Sequence, residues 1–336
     1  MFDQIIDPVT GFEIPKSWIE LAKDPQIFEK IQSGLYVLLS NGNLLRRGLT
    51  TGTTAAAACK GAILSLHYPQ DIADVMTPAG IRVKLPVNAR KGFCIAIKDG
   101  GDHQFDVTHG LEIIAFAEDC DSIQLIAGKG IGRISKIDLS DPICRYAISQ
   151  SARKQIMEAI NESLVETKMQ GAKIELSVPR GEIVAKDTLN PRLGIEGGIS
   201  ILGSTGFSEP WNDHLGESRM DEIRDSTRVV VTTGRTGLKY SKMLFPDHKA
   251  VLLGSQLDRV EFRMDQESIV CGLPALILKW AWPQILDGTG YKTISEMIEK
   301  EPNHPQISEA LKRAKAKLPD TRIILLQKDG KFFRDL

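Results

Sequence analysis

From Arg228 onward the chain alternates short apolar runs with amphipathic ones: "RVVVTTG", "RTGLKYSKMLF", "KAVLLG", "SQLDRVEFRM", "SIVCG" and "LPALILKWAWPQIL". No other feature constrains the fold as much. A continuous apolar strand has to be buried on both faces, which a parallel sheet covered by helices achieves. The tail "RIILLQKDGKFFRDL" reads as a closing strand and hairpin. Upstream the pattern is mixed. A helix is expected near Ser17–Gln32, a strand around Leu35–Leu39 and a helix from about Thr54 to His67. Extended runs follow through "ADVMTPAGIRVKLPV" and "GFCIAIKDGG", and "SARKQIMEAINESLVETKMQG" reads as an amphipathic helix stopped by Gly171. The polar stretch "NDHLGESRMDEIRDST" is the best boundary. The expected fold class is therefore α/β with two domains. Residues 1–222 form a two-layer α+β domain and residues 223–336 a Rossmann-like α/β domain.

The length of 336 residues suits about two domains, and 42% hydrophobic with 25% charged residues is an ordinary globular balance. A formal net charge of −1 gives no bulk attraction to nucleic acid or acidic membranes, so an anionic ligand needs local cations. No apolar run approaches the ~18–20 residues that span a bilayer. The N-terminus has no basic region typical of a signal peptide, and a cytoplasmic protein is expected. Cys59, Cys94, Cys120, Cys144 and Cys271 are dispersed, with no CxxC or Cys/His cluster, so they read as reduced thiols and no protein-built metal site is expected.

The chemistry concentrates in glycine-rich segments. "LLRRGLTTGTTAAAACKGAILSL" places Arg46, Arg47, Thr50, Thr51, Gly52, Thr53 and Thr54 at the start of a helix. Unpaired N–H groups and the helix dipole make such a start an anion site. The plainer alternative is a threonine N-cap beside solvated arginines. A phosphate-transferring kinase is the weakest reading, because the GxxxxGK[ST] pattern is absent. "DTLNPRLGIEGGISILGSTGFSEP" sets glycines and the donors Asn190, Arg192, Ser204, Thr205 and Glu209 around an apolar strand. "GGDHQFDVTHG" brings Asp102, Asp106 and His109 into one loop, the alternative being an acidic solvated turn. "VVTTGRTG" puts Gly234 and Gly237 at a strand's carboxyl end, where open α/β sheets bind ligands.

Four segments taken together, "LRRGLTTGTTAAAACKGA", "GGDHQFDVTHG", "GKGIGRISK" and "VPRGEIVAKDTLNPRLGIEGGISILGSTGFSEP", resemble one family in order from about Leu45 to Pro210. It is the cobalt-precorrin-5B C1-methyltransferases (CbiD-type) of anaerobic cobalamin biosynthesis. The resemblance implies methyl transfer from S-adenosylmethionine to C1 of a cobalt-containing, ring-contracted tetrapyrrole, giving cobalt-precorrin-6A. Cobalt enters only as part of the substrate. Two departures stand out. "DLSDPICRYAISQSARKQI" replaces the family's Pro-Ala-Ile-Asn-Pro segment, and "VCGLPALILKW" stands where a Gly-His-Ile-Gly-Lys segment is usual. Roles for that histidine and lysine are not carried over, and the C-terminal half reads as divergent.

A cobalt-precorrin carries acetate and propionate groups around an apolar ring. Under the resemblance Arg46, Arg47, Thr50, Thr51, Gly52, Thr53, Thr54, Asn190 and Arg192 become substrate-binding residues. Asp102, Asp106 and His109 become the catalytic candidates, for orienting the ring or balancing protons. Gly203, Ser204, Thr205, Glu209, Gly234 and Gly237 become the methyl-donor contacts, with Asp258 a further ribose partner on spacing. The alternative is a non-catalytic tetrapyrrole carrier, motivated by the altered C-terminal half. A homodimer is left open.

Overall fold

The computed structural model describes residues 5–134, 146–211, 219–254 and 257–336, so Cys144 and part of the expected boundary segment lie outside the described residues. The chain falls into two compact units. One comprises Gln26–Val37 and Leu45–Asn212, the other Met1–Pro25, Leu38–Leu44 and Asp213–Leu336. Each is a mixed α/β structure.

The first unit is built on a six-stranded sheet in the order Gln124–Ala127, Ala172–Ser177, Glu112–Asp119, Phe93–Ile97, Arg82–Arg90, Gln70–Met76. All neighbours are antiparallel except Gln124–Ala127 with Ala172–Ser177. That parallel pair requires a long crossover, and the helix Gln150–Thr167 lies within it. Period-two alternation selects the inner face: Val83, Leu85, Val87 and Ala89 are buried, whereas Arg82, Lys84, Pro86, Asn88 and Arg90 are exposed.

Against that face lies the helix Thr51–Leu64, buried along its whole length. Such a helix cannot be amphipathic, and "TGTTAAAACKGAIL" is not. Small side chains let the sheet approach closely. A Cβ on Gly61 would sit 2.6 Å from Cys94 Sγ. The helix Gln150–Thr167 packs on Thr51–Leu64 in turn, and Lys60 reaches Glu162 at 2.7 Å across the pair. Burial pushes the Cys94 thiol up to about 12, as expected for an apolar spacer and not a reactive group.

The second unit holds a five-stranded sheet ordered Lys249–Leu252, Arg228–Thr232, Glu267–Gly272, Arg322–Leu326, Phe332–Asp335. The first four strands are parallel and the last is antiparallel. Arg228–Thr232 is the first of the four in sequence. The chain steps to one side of it for Lys249–Leu252, then crosses to the other for Glu267–Gly272. Helices Arg235–Leu244, Pro274–Ala281, Ile294–Lys300 and Pro305–Lys317 connect the strands. Val229, Val231, Val270, Ile277, Leu278, Ala310 and Ile323 sit at the centre of its core.

Three expected elements differ. The helix over Ser17–Gln32 is two helices, Lys16–Leu21 and Ile27–Gln32, because Pro25 bars a helical Asp24 and supplies no N–H. "LDRVEFRM" holds only a 3₁₀ turn at Leu257–Arg259. Gln266 closes a turn onto the Arg263 carbonyl at 3.2 Å and takes the chain into its next strand. The helix beginning at Pro274 stops at Ala281, just before Pro283.

Candidate functional site

Thr50 caps the helix Thr51–Leu64, its side chain accepting the Thr53 N–H at 3.2 Å. The other donors of this helix start are used inside the unit. Gly52 N–H bonds the Leu202 carbonyl at 3.0 Å, and Thr50 N–H bonds the Gly206 carbonyl at 3.0 Å. Thr51 Oγ1 donates to the Ser200 carbonyl at 3.0 Å and accepts Leu202 N–H at 2.9 Å. Thr53 Oγ1 donates to the Gly206 carbonyl at 2.8 Å, and Thr54 Oγ1 to the Thr50 carbonyl at 3.0 Å. All four threonines are buried. This corrects the expected ligand cradle: Thr50–Thr54 join the helix to the glycine loop, and their hydroxyls and the N–H groups of Thr50, Gly52, Thr53 and Thr54 are already engaged.

The glycine loop answers in kind. Gly203 has φ +150, and a Cβ there would overlap Thr50 Oγ1. Gly206 has φ +88 and lies against Thr77. Asn190 is buried, donating to the Gly198 carbonyl and accepting from Ser200 Oγ, both at 2.9 Å. Thr205 folds back on Phe207 at 3.3 Å. Asn190 and Gly203 are therefore scaffold and not ligand contacts, whereas Thr205 stays partly exposed. Ser204 and Arg192 are exposed, and no other group holds the Arg192 side chain among the described residues.

The two adjacent arginines part company. Arg47 is 0% exposed; its guanidinium donates to the Gly34 carbonyl at 3.1 Å and pairs with Glu209 at 3.3 Å. Arg47 is therefore enclosed and does not serve as a ligand receptor, whereas Glu209 stays partly exposed, with its Oε2 engaged by Arg47. Arg46 is 38% exposed and holds Asp99 through two hydrogen bonds, one of 2.9 Å. Burial opposes the charge on Asp99, but Arg46 and the Gly101 N–H outweigh it and hold its pKa below the ordinary carboxylate value.

The acidic loop is likewise tied down. Asp102 accepts the Arg46 N–H at 2.6 Å. Asp106 pairs with buried Lys98 at 2.6 Å and takes both the N–H and hydroxyl of Thr108. Burial would raise the Asp106 pKa, but Lys98 and Thr108 prevail and keep it low. Asp106, held ionised by Lys98, ties the loop down, and exposed Asp102 anchors one end of it to the Arg46 backbone. His109 is 60% exposed, and its Nδ1 accepts the Gly100 N–H at 2.9 Å. The neutral ring thus carries its proton on Nε2, as an outward donor.

In the second unit the carboxyl ends of Arg228–Thr232 and Glu267–Gly272 lie side by side where the strand order reverses. Gly234 is the N-cap of the helix Arg235–Leu244, with no side-chain cap and nothing within 4 Å of the place a Cβ would take. Gly237 is packed, its Cβ position overlapping Thr232 Oγ1. The Thr232 hydroxyl is buried with no hydrogen-bond partner among the described residues, an orphan of the kind that marks a functional place. Asp258 is exposed and accepts from Trp280 Nε1 at 2.7 Å. Trp280 lies under Lys317, and Trp282 under Arg313 at 4.1 Å, both as surface packing.

The sequence profile of the CbiD family matches residues 39–210. A cobalt-precorrin-5B C(1)-methyltransferase of Methanococcoides burtonii is 46% identical over 333 residues, covering 98% of each chain. The chain belongs to the CbiD family. A protein of the same name from Methanosarcina acetivorans is 45% identical over 334 residues, again covering 98% of both chains. The crystal structure of a cobalamin biosynthesis protein (cbiD) from Archaeoglobus fulgidus superposes with a TM-score of 0.57 at 38% identity, covering 82% of this chain and 93% of that one. Both relatives align with this chain through the C-terminal half as well, beyond the residues that the family profile matches.

One feature of this CbiD chain escaped the sequence reading. The turn "GKGIG" borders a cleft of about 420 Å3 lined by Lys129, Arg133, Tyr146, Glu182 and Gly197. The segment helps carry the family resemblance, but none of its residues stands among the expected site residues. The signal was the pair of cations spaced through it.

Proposed function

We propose that this chain is a methyltransferase that moves the methyl group of S-adenosylmethionine to C1 of cobalt-precorrin-5B, giving cobalt-precorrin-6A, in the cytoplasm. The observation that carries the reading is the 46% identity, over 98% of both chains, to a protein named for that reaction. The reading takes the chain as a two-layer α+β domain for the tetrapyrrole followed by a Rossmann-like domain for the donor; the division expected near residues 222 and 223 lies close to the Asn212/Asp213 boundary of the two units, with Met1–Pro25 and Leu38–Leu44 grouped with the second.

The donor fits the strand ends at Thr232–Gly234 and Gly272. The buried Thr232 hydroxyl needs a partner, the space beside Gly234 is open, and the helix start is uncapped by any side chain. Backbone N–H groups there favour a carboxylate. S-adenosylmethionine supplies, when bound, an electrophilic methyl on a sulfonium. On the substrate side, Arg192 and the exposed part of Arg46 receive carboxylates, and His109 Nε2–H orients the ring. No protein nucleophile is required; this chain's residues align the reactants and exclude water.

The test is S-adenosylhomocysteine binding. Wild-type protein is expected to bind it in the micromolar range, about −8 kcal/mol. Because φ at Gly234 is −155, a conformation open to any residue, Gly234→Leu should keep its thermal stability. It should lose binding at least tenfold. Equal affinity in the variant would move the donor elsewhere.

A further inference from the structure

The cleft at the "GKGIGR" turn is assembled from backbone too tightly packed to vary. A Cβ on Gly130 would overlap the Val178 carbonyl, one on Gly198 the Gly130 carbonyl, and one on Gly132 would stand 2.5 Å from Ile195 Cγ2. Gly130–Ile131 runs parallel to Gly198–Ile199, and Arg133–Ile134 antiparallel to Ile195–Glu196. These pairings fix where the lining side chains begin. Gly197 is the exception, with φ +76 and no atom within 4 Å of a Cβ position, so it opens onto the cleft.

Arg133 is held in place. Its guanidinium carbon lies 4.9 Å over the Tyr146 ring, and one amino group donates to the Tyr146 hydroxyl at 2.7 Å. A guanidinium fixed on a ring presents its remaining N–H groups in a set direction. Lys129 and Glu182 line the same cleft, and neither side chain has a hydrogen-bond or ion-pair partner among the described residues. Two cations against one carboxylate leave a single net positive charge, which suits a carboxylate better than a phosphate dianion. Ala127 and Ile131 add apolar side chains to the wall of the cleft.

We propose that this cleft grips one acetate or propionate carboxylate at the edge of the tetrapyrrole, with Lys129 and Arg133 as its two charged contacts and Glu182 limiting it to a single anion. The proposal rests on the methyltransferase reading, which supplies a flat apolar ring edged with carboxylates. A volume of about 420 Å3 is near the lower end of small-molecule sites, fitting one edge of a macrocycle and not all of it.

The experiment titrates the full chain with cobyrinic acid, a cobalt corrin with its side-chain carboxylates free, and with its full methyl ester. The Lys129→Gln/Arg133→Gln double variant is expected to bind the acid at least tenfold more weakly than wild type, with an unchanged melting temperature and unchanged, weak binding of the ester. Glu182→Gln is expected to bind the acid several-fold more tightly. Equal affinity of wild type and double variant for the acid overturns the cleft assignment, as does equal loss for acid and ester. Methyl-transfer assays on the same proteins keep the two readings apart. Wild-type turnover with an unchanged KM in the double variant sinks the cleft alone, whereas absent wild-type turnover sinks the enzyme reading and leaves the binding comparison to decide the cleft.

Discussion

Arg47→Ala is expected to destabilise the first unit by about 3–5 kcal/mol, the usual cost of removing one partner from a buried ionic network. The side chain is 0% exposed and donates to the Gly34 and Tyr36 carbonyls as well as to Glu209. Alanine would leave those acceptors without their donor and a cavity where the guanidinium stood. Arg46→Ala, one position away, should cost less than about 1 kcal/mol, because its pair with Asp99 is half exposed. Urea unfolding of the two variants makes the comparison. Similar midpoints would mean that Arg47 is not the support described above.

Gly203→Val is expected to be at least as damaging, and through a different cause. At φ +150 a β-branched residue is strained by about 1–3 kcal/mol. The new side chain would also have to displace Thr50, the helix cap, at about 1–3 kcal/mol more. From sequence alone the variant reads as folded but inactive. The structure reverses that expectation: it should unfold at a markedly lower temperature, and any lost activity should follow the lost fold. Circular dichroism melting decides between them, and a variant melting with the wild type would restore the ligand-contact reading.

These two residues show where sequence reading reaches its limit. The alternation after Arg228 predicts the parallel strands Arg228–Thr232, Lys249–Leu252 and Glu267–Gly272, because burial on both faces leaves a pattern within each segment. The helix Gln150–Thr167 is legible for the same reason. The threonine-glycine motif is different in kind. A ligand and a second backbone loop ask for the same donors and the same glycines, and only the fold brings the Leu202 and Gly206 carbonyls to Gly52 and Thr53. Arg46 and Arg47 were separable in principle. In extended chain, neighbours point to opposite sides, so one of two adjacent arginines must face inward. The family resemblance over Leu45–Pro210 agrees with the profile match at residues 39–210, yet it says little about which motif residues touch a ligand. Most of the motif, on this geometry, builds the frame: Thr50–Thr54 hold the glycine loop at Leu202–Gly206, Asn190 holds Gly198 and Ser200, and Glu209 meets Arg47. The residues left with free valences, Arg192, His109, Lys129, Arg133 and Thr232, are less conspicuous in the sequence.

The central claim is that this chain catalyses methyl transfer to the ring, and the direct measurement is mass spectrometry of a single-turnover reaction with S-adenosylmethionine labelled in its methyl group and cobalt-precorrin-5B. The account predicts that the labelled methyl appears on the tetrapyrrole at C1 together with one equivalent of S-adenosylhomocysteine. Folded protein that binds the tetrapyrrole but leaves both mass and donor unchanged would contradict it, and would make the chain a carrier.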